Sequence, residues 1–167
     1  MRFLTMLVLV ALFSFTAPVR AEVDGGLTIG DVAPDGQAAP LGGGAALTLS
    51  ATQGQKAMLL VIFGTYCPHC QVETKALNQL FATLDPNKVA ILAVGMGDTD
   101  AKVARFKERF ACKYPLAVDE NHKLQRPFNI VGVPTYFVLD SKRVVRAQGN
   151  AESFDVMNAQ IQKVLGQ

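Results

Sequence analysis

The stretch 57–70 of this chain, Ala57-Met58-Leu59-Leu60-Val61-Ile62-Phe63-Gly64-Thr65-Tyr66-Cys67-Pro68-His69-Cys70, carries most of its meaning. The first seven residues are apolar without a break, which has the length and character of a buried strand. After Cys70, the residues Val72, Ala76, Leu77, Leu80, Phe81 and Leu84 recur at helical spacing and predict a helix over 68–84. The two cysteines therefore stand where a buried strand hands over to a helix. Cys67 falls near the N-cap and Pro68 near the first helical position, where a missing N–H costs nothing. Unpaired backbone N–H groups and the positive end of the helix dipole favour a thiolate there. Two thiols separated by two residues can close into a ring and reopen, provided the first reaches solvent. A redox-active dithiol is the expectation, with an inert disulfide or a metal site as the alternative. Zinc would need two more ligands, and covalent haem would need His directly after Cys70, where Gln71 stands.

Working outward, apolar strand-like runs at 89–94, 116–118 and 135–139 alternate with helical patterns. One helix is expected over 99–112 with Val103, Phe106 and Phe110 as its inner stripe. A short one runs through Leu124 to Phe128, and a last one over 151–165 carries Phe154, Met157, Ile161 and Val164 on one face. A polar turn, Asp140-Ser141-Lys142-Arg143, joins 135–139 to a second strand at 144–147 and makes a hairpin. Residues 22–46 are rich in Gly, Ala and Pro and show neither period. They predict a loop or poorly paired hairpin leading to a short strand at 47–49. Gly42-Gly43-Gly44 is no phosphate cradle, since neither Lys-Ser/Thr nor a helix opens behind it. The whole predicts an α/β sheet covered on both faces.

Residues 1–21 read as an export signal. Arg2 supplies the positive start, 3–15 is nearly unbroken apolar sequence, and Val19-Arg20-Ala21 places small residues at −3 and −1 of a cut after Ala21. The apolar run is shorter than the about 20 residues a spanning helix needs, although an uncleaved N-terminal membrane anchor is the alternative. Export, to the periplasm or beyond, places the dithiol where disulfides persist. The signal also holds Arg2 and Arg20, so the formal net charge of +2 belongs to it and the remainder is neutral. Such a balance recruits no nucleic acid. The run Lys102, Arg105, Lys107, Arg109 and Lys113, interleaved with Asp98, Asp100 and Glu108, reads as the solvated face of a helix. The expected layout is a signal at 1–21, a Gly/Ala/Pro-rich segment at 22–46 and one soluble domain at 47–167.

This arrangement resembles the thioredoxin superfamily, and within it the TlpA/ResA-like exported thiol–disulfide oxidoreductases. The resemblance rests on Phe63-Gly64-Thr65-Tyr66-Cys67-Pro68-His69-Cys70, on Gly132-Val133-Pro134-Thr135 before the hairpin, and on Gly30-Asp31-Val32-Ala33-Pro34-Asp35. It covers about residues 28–165. It implies a thioredoxin-like three-layer fold with a central mixed sheet, a strand–helix insert at about 88–112, and an N-terminal hairpin-like extension. It also implies that Gly132 to Thr135 is a cis-proline loop. The Pro-His dipeptide, by contrast, is the one DsbA uses. Tyr66 stands where the family usually has Trp, and Val61 where plain thioredoxin keeps a buried Asp.

The roles expected from this follow residue by residue. Cys67 exchanges with a partner's sulfur and Cys70 resolves the mixed disulfide. His69, in the first helical turn, is expected to donate a hydrogen bond to the Cys67 sulfur or hold charge beside it. Glu73, one turn past Cys70, is a candidate base for Cys70 if it is partly buried; the alternative is a solvated first-turn Glu. Val133 and Pro134, followed by Thr135, would offer backbone to an extended substrate strand, and Tyr66 would flank the contact surface. Cys112 is expected to be buried and inert, and His122 solvated. No cofactor beyond the Cys67–Cys70 disulfide and no metal is expected. The partners implied are client proteins bearing thiols or disulfides and a membrane redox partner that recycles the dithiol. Reduction of clients, such as apocytochromes or copper-site proteins, is the default of the resemblance. A DsbA-like oxidant or isomerase, a copper(I) metallochaperone and a peroxide-reducing enzyme are the competing readings.

Overall fold

The computed structural model describes residues 26–52, 54–150 and 152–166; the signal expected over 1–21 lies outside them. Seven strands form one sheet in the order β2-β1-β5-β4-β3-β6-β7. The strands are β1 (Gln37–Pro40), β2 (Leu47–Thr48), β3 (Ala57–Phe63), β4 (Val89–Met96), β5 (Leu116–Asp119), β6 (Thr135–Asp140) and β7 (Val145–Gly149). The helices are α1 (Leu49–Thr52), α2 (Pro68–Thr83), α3 (Asp100–Arg109), α4 (Gln125–Phe128) and α5 (Phe154–Leu165). β3, β4 and β5 run parallel, whereas β6 and β7 on one side and β1 and β2 on the other are antiparallel additions.

β3 is buried along its whole length, and its alternation divides the core. Leu59, Val61 and Phe63 face Leu77 and Leu80 of α2, Phe106 of α3, and Met157 and Ile161 of α5. Met58, Leu60 and Ile62 face Leu49, Leu124 and Phe128 on the other side, together with Ala33 of the N-terminal segment. This is the period-two pattern of a strand sandwiched between layers. The three-layer α/β architecture is the one expected.

Boundaries differ in places where backbone geometry intervenes. α3 stops at Arg109, before 112, because Phe110 leaves helical dihedrals and Ala111 adopts a positive φ of 50°. α5 begins at Phe154, after 151, because Ser153 is its N-cap and its side chain accepts from the Val156 N–H. The Gly/Ala/Pro-rich segment does pair: β1 joins β5 and carries β2 beyond it, so the hairpin covers an edge that would otherwise be open. No helix among the described residues is long and apolar enough to cross a membrane.

Candidate active site

Parallel strands end together, so the loops after β3, β4 and β5 gather at one rim of the sheet, the usual place for a site in an open α/β sheet. β3 delivers Gly64 to Cys67 to that rim. The Cys67 amide donates to the Gly64 carbonyl at 3.0 Å, which closes a tight turn. Cys67 is then the N-cap of α2, with Pro68 at its start, and the Cys67 sulfur accepts the Cys70 N–H at 3.4 Å. A sulfur at this position takes one of the N–H groups that a helix start leaves unpaired. On its other side, the Cys67 thiol donates to the Val133 carbonyl at 3.5 Å. The Val133–Pro134 peptide is cis.

Cys67 is 7% exposed and Cys70 2%. Cys67 is thus more open than Cys70 but less open than expected, because the Val133 loop closes over it. Burial pushes the Cys70 thiol well above the ordinary range, and its hydrogen bond to Cys67 adds to the shift.

Glu73 faces inward and is 4% exposed. Burial is the first cause of its raised pKa, pushed up to about 7; the Glu152 backbone amide draws it back and the Glu152 carboxylate adds to it. No hydrogen bond of ordinary length reaches either Glu73 carboxyl oxygen among the described residues. A solvated first-turn glutamate is excluded by that burial. Glu73 borders a groove of about 670 Å³ between α2 and the start of α5, shared with His69, Val72, Glu152, Ser153 and Phe154, while its carboxyl oxygens stay buried.

His69 is where the geometry departs most from expectation. Its side chain is exposed and turns into that groove, and among the described residues no hydrogen bond joins its ring to the Cys67 sulfur. At the N-cap, Cys67 already has the Cys70 amide and the Val133 carbonyl for partners, leaving the ring free to turn away.

Tyr66, 68% exposed, lies over Gly64, whose missing Cβ would sit 2.8 Å from the ring. Val131 just before the cis-proline loop is 97% exposed. Pro134 is buried and Val133 half-buried, while the Thr135 hydroxyl donates to the Gly132 carbonyl at 2.8 Å and stiffens the loop. Tyr66, Cys67, Val133 and Pro134 thus share one rim, with Glu73 beneath Cys70.

One residue of the rim escaped the sequence reading. Asp98 is 2% exposed rather than part of a solvated face. Its carboxylate accepts the Thr65 N–H and the Thr65 hydroxyl, both at 2.8 Å. The signal was its position: directly past the end of β4, the parallel neighbour of β3. His122, expected to be solvated, is half-buried instead, against Gly97 and bonded to Gln125. Cys112 is buried as expected, and the Tyr114 hydroxyl donates to its sulfur at 3.5 Å. Among the described residues, no group of three His, Cys, Asp or Glu side chains is placed to hold a metal ion.

The model of the AhpC/TSA family matches residues 29–148. The thiol-disulfide oxidoreductase ResA of Geobacillus kaustophilus is 30% identical over 147 residues, which cover 87% of this chain and 83% of that protein. ResA of Geobacillus thermodenitrificans is 30% identical over 91 residues, 54% of this chain and 52% of its own length. Among solved structures, the thioredoxin domain of a Bacteroides vulgatus thiol-disulfide oxidoreductase superposes with a TM-score of 0.71 at 18% identity, covering 81% of this chain and 99% of that one. A secreted Mycobacterium tuberculosis disulfide oxidoreductase, homologous to DsbE of E. coli, superposes with a TM-score of 0.67 at 16% identity, over 77% and 96% of the two chains. At these identities the two structures speak for a common fold.

Proposed function

Because the chain belongs to the AhpC/TSA family and, within it, to the ResA-type thiol–disulfide oxidoreductases, we propose that it is an exported reductase of disulfides in client proteins, working through Cys67 and Cys70. The observation that carries this reading is the pairing of an N-capping sulfur at 67 with a buried carboxyl, lacking a hydrogen bond of ordinary length, one turn beyond Cys70.

The Cys67 thiolate attacks one sulfur of a client disulfide; the client S–S bond breaks and its other sulfur leaves as a thiolate, which takes a proton from water. Cys70 then gives its proton to the Glu73 carboxylate and attacks the Cys67 sulfur. The Cys67–Cys70 bond forms, the mixed disulfide breaks, and the second client sulfur leaves as a thiolate that takes a proton from water. Two electrons have passed to the client. A membrane dithiol partner would return the pair to its reduced form. Glu73 suits the proton transfer because its pKa, pushed up to about 7, lies near the working pH. The client's chain is held beside Cys67 by the Val133 backbone and flanked by Tyr66.

Two observations weigh against neighbouring chemistries. The Thr65 hydroxyl, which a peroxide-reducing site would turn toward its substrate, is spent on Asp98. The oxidant reading draws on His69 beside the sulfur, and among the described residues no hydrogen bond joins that ring to Cys67, whose sulfur is hydrogen-bonded to the Cys70 amide and the Val133 carbonyl. The deciding test is the reduction potential of the Cys67–Cys70 pair alongside an insulin-reduction assay. A potential well below about −120 mV, the value of a strong oxidant, together with turnover supports the reductase. A potential at or above it overturns that direction.

A further inference from the structure

Asp98 is a buried carboxylate whose ion pair with Lys102 is loose: the ammonium lies 3.9 Å away on a side chain 56% exposed. Such a pair contributes little. The strong contacts are instead the two 2.8 Å bonds from Thr65. The Thr65 carbonyl is taken from the opposite side by the Gln71 side-chain amide at 3.2 Å. N–H, C=O and hydroxyl of one residue are therefore all held, and that residue lies two before the nucleophile. Gly97 makes the arrangement possible: its φ of +64° turns the chain off β4, and a Cβ there would press on the His122 ring at 2.9 Å.

We propose that Asp98 is a positioning residue for thiol exchange: with Gln71 it clamps the Thr65 peptide and so aims the Cys67 sulfur at its reaction partners. Resting on the dithiol reading of the site, this adds a residue outside the motif to its machinery. The clamp acts on geometry, so it shows in steps that demand alignment. Well-aligned intramolecular reactions gain large effective molarities, and a misplacement of about 1 Å can cost about 100-fold.

The test uses the reduced protein and oxidised glutathione. The Cys67 thiolate attacks oxidised glutathione, whose S–S bond breaks and releases one glutathione thiolate that takes up a proton. Cys70 then loses its proton to Glu73 or water and attacks the Cys67 sulfur. The Cys67–glutathione bond breaks, and the second glutathione leaves as a thiolate that takes up a proton. The rate of that ring closure is compared with alkylation of Cys67 by iodoacetamide, which needs no alignment. In Asp98→Ala, closure is expected to slow about tenfold or more, with alkylation changed less than threefold. Thr65→Val, which loses the hydroxyl and keeps the N–H, is expected to fall between, and Thr65→Ser to recover most of the rate. Lys102→Ala is expected to stay within twofold. Closure within twofold of wild type in both Asp98→Ala and Thr65→Val overturns the proposal, as does an equal fall in alkylation. A Lys102→Ala defect as large as that of Asp98→Ala also overturns it, by assigning the effect to the ion pair. Failure of the wild type to reduce insulin would sink the client-reductase reading alone, since ring closure is measured without a client.

Discussion

The Cys67 sulfur and the Val133 carbonyl oxygen lie 3.5 Å apart although 66 residues separate them in the chain. This contact sets the sulfur proposed to attack against the cis-proline loop, whose backbone is proposed to pair with a client strand. Even so covered, Cys67 is the less buried of the two motif cysteines. The asymmetry makes a sharp prediction. Cys67→Ser is expected to abolish disulfide exchange, whereas Cys70→Ser should accumulate mixed disulfides with clients. Non-reducing electrophoresis of cells producing each variant reads both outcomes; trapping through Cys67→Ser instead would reverse the assignment.

Gly64 and Tyr66 give a second prediction. A Cβ at Gly64 would meet the Tyr66 ring at 2.8 Å, and that ring is the exposed end of a movable side chain. Gly64→Ala should therefore displace the ring at a stability change below about 1 kcal/mol. If Tyr66 flanks the bound client, KM rises severalfold while kcat holds. Equal KM in Gly64→Ala and wild type would remove Tyr66 from the contact surface.

What was legible in the sequence depended on how local its cause was. β3 and α2 showed because unbroken apolar sequence and a 3.6-residue period are local patterns, and so did Cys67 at the N-cap with Pro68 behind it. The reduced opening at Cys67 did not show, because its cover comes from a distant loop. Asp98 was hidden by its company: it precedes a run of alternating charges that truly is a solvated helix face, and only the register of β3 on β4 brings it to Thr65. His69 is expected beside the Cys67 sulfur, but an exposed first-turn ring has several rotamers, and its residue borders the groove against α5 instead. The hairpin of β1 and β2 has no period of its own to read; the open edge of β5 gives it a place.

Cys112 supplies a third prediction. It is 5% exposed, burial raises its pKa, and its sulfur accepts from Tyr114. Thiols of this kind are poor nucleophiles. In the folded protein Cys112 should resist an aromatic disulfide reagent and react only on unfolding. Cys112→Ala should leave insulin reduction unchanged and cost about 1–2 kcal/mol in chemical denaturation. Rapid native-state labelling at 112 would instead make it a third redox thiol.

Glu73 yields a prediction in which activity and stability move in opposite directions with pH. Its folded pKa is raised from 4.5 to about 7, chiefly by burial. Between those values the folded state holds a proton that the unfolded state has released, so stability falls as pH rises toward and past 7. The same deprotonation creates the base that Cys70 needs, so the resolving step should speed up through that interval. Glu73→Gln removes both dependences. Its melting temperature should vary less between about pH 5 and 8 than that of wild type, by the equivalent of a few kcal/mol. Its resolving rate should lose the rise centred near 7, with the first attack by Cys67 altered little. The absolute stability of the variant is a poorer guide, since a buried amide without partners carries its own cost. Stopped-flow measurement of mixed-disulfide decay across that pH range, beside thermal melts, checks both limbs. If decay in Glu73→Gln follows the wild-type profile, another group takes the Cys70 proton and Glu73 is no more than a buried acid.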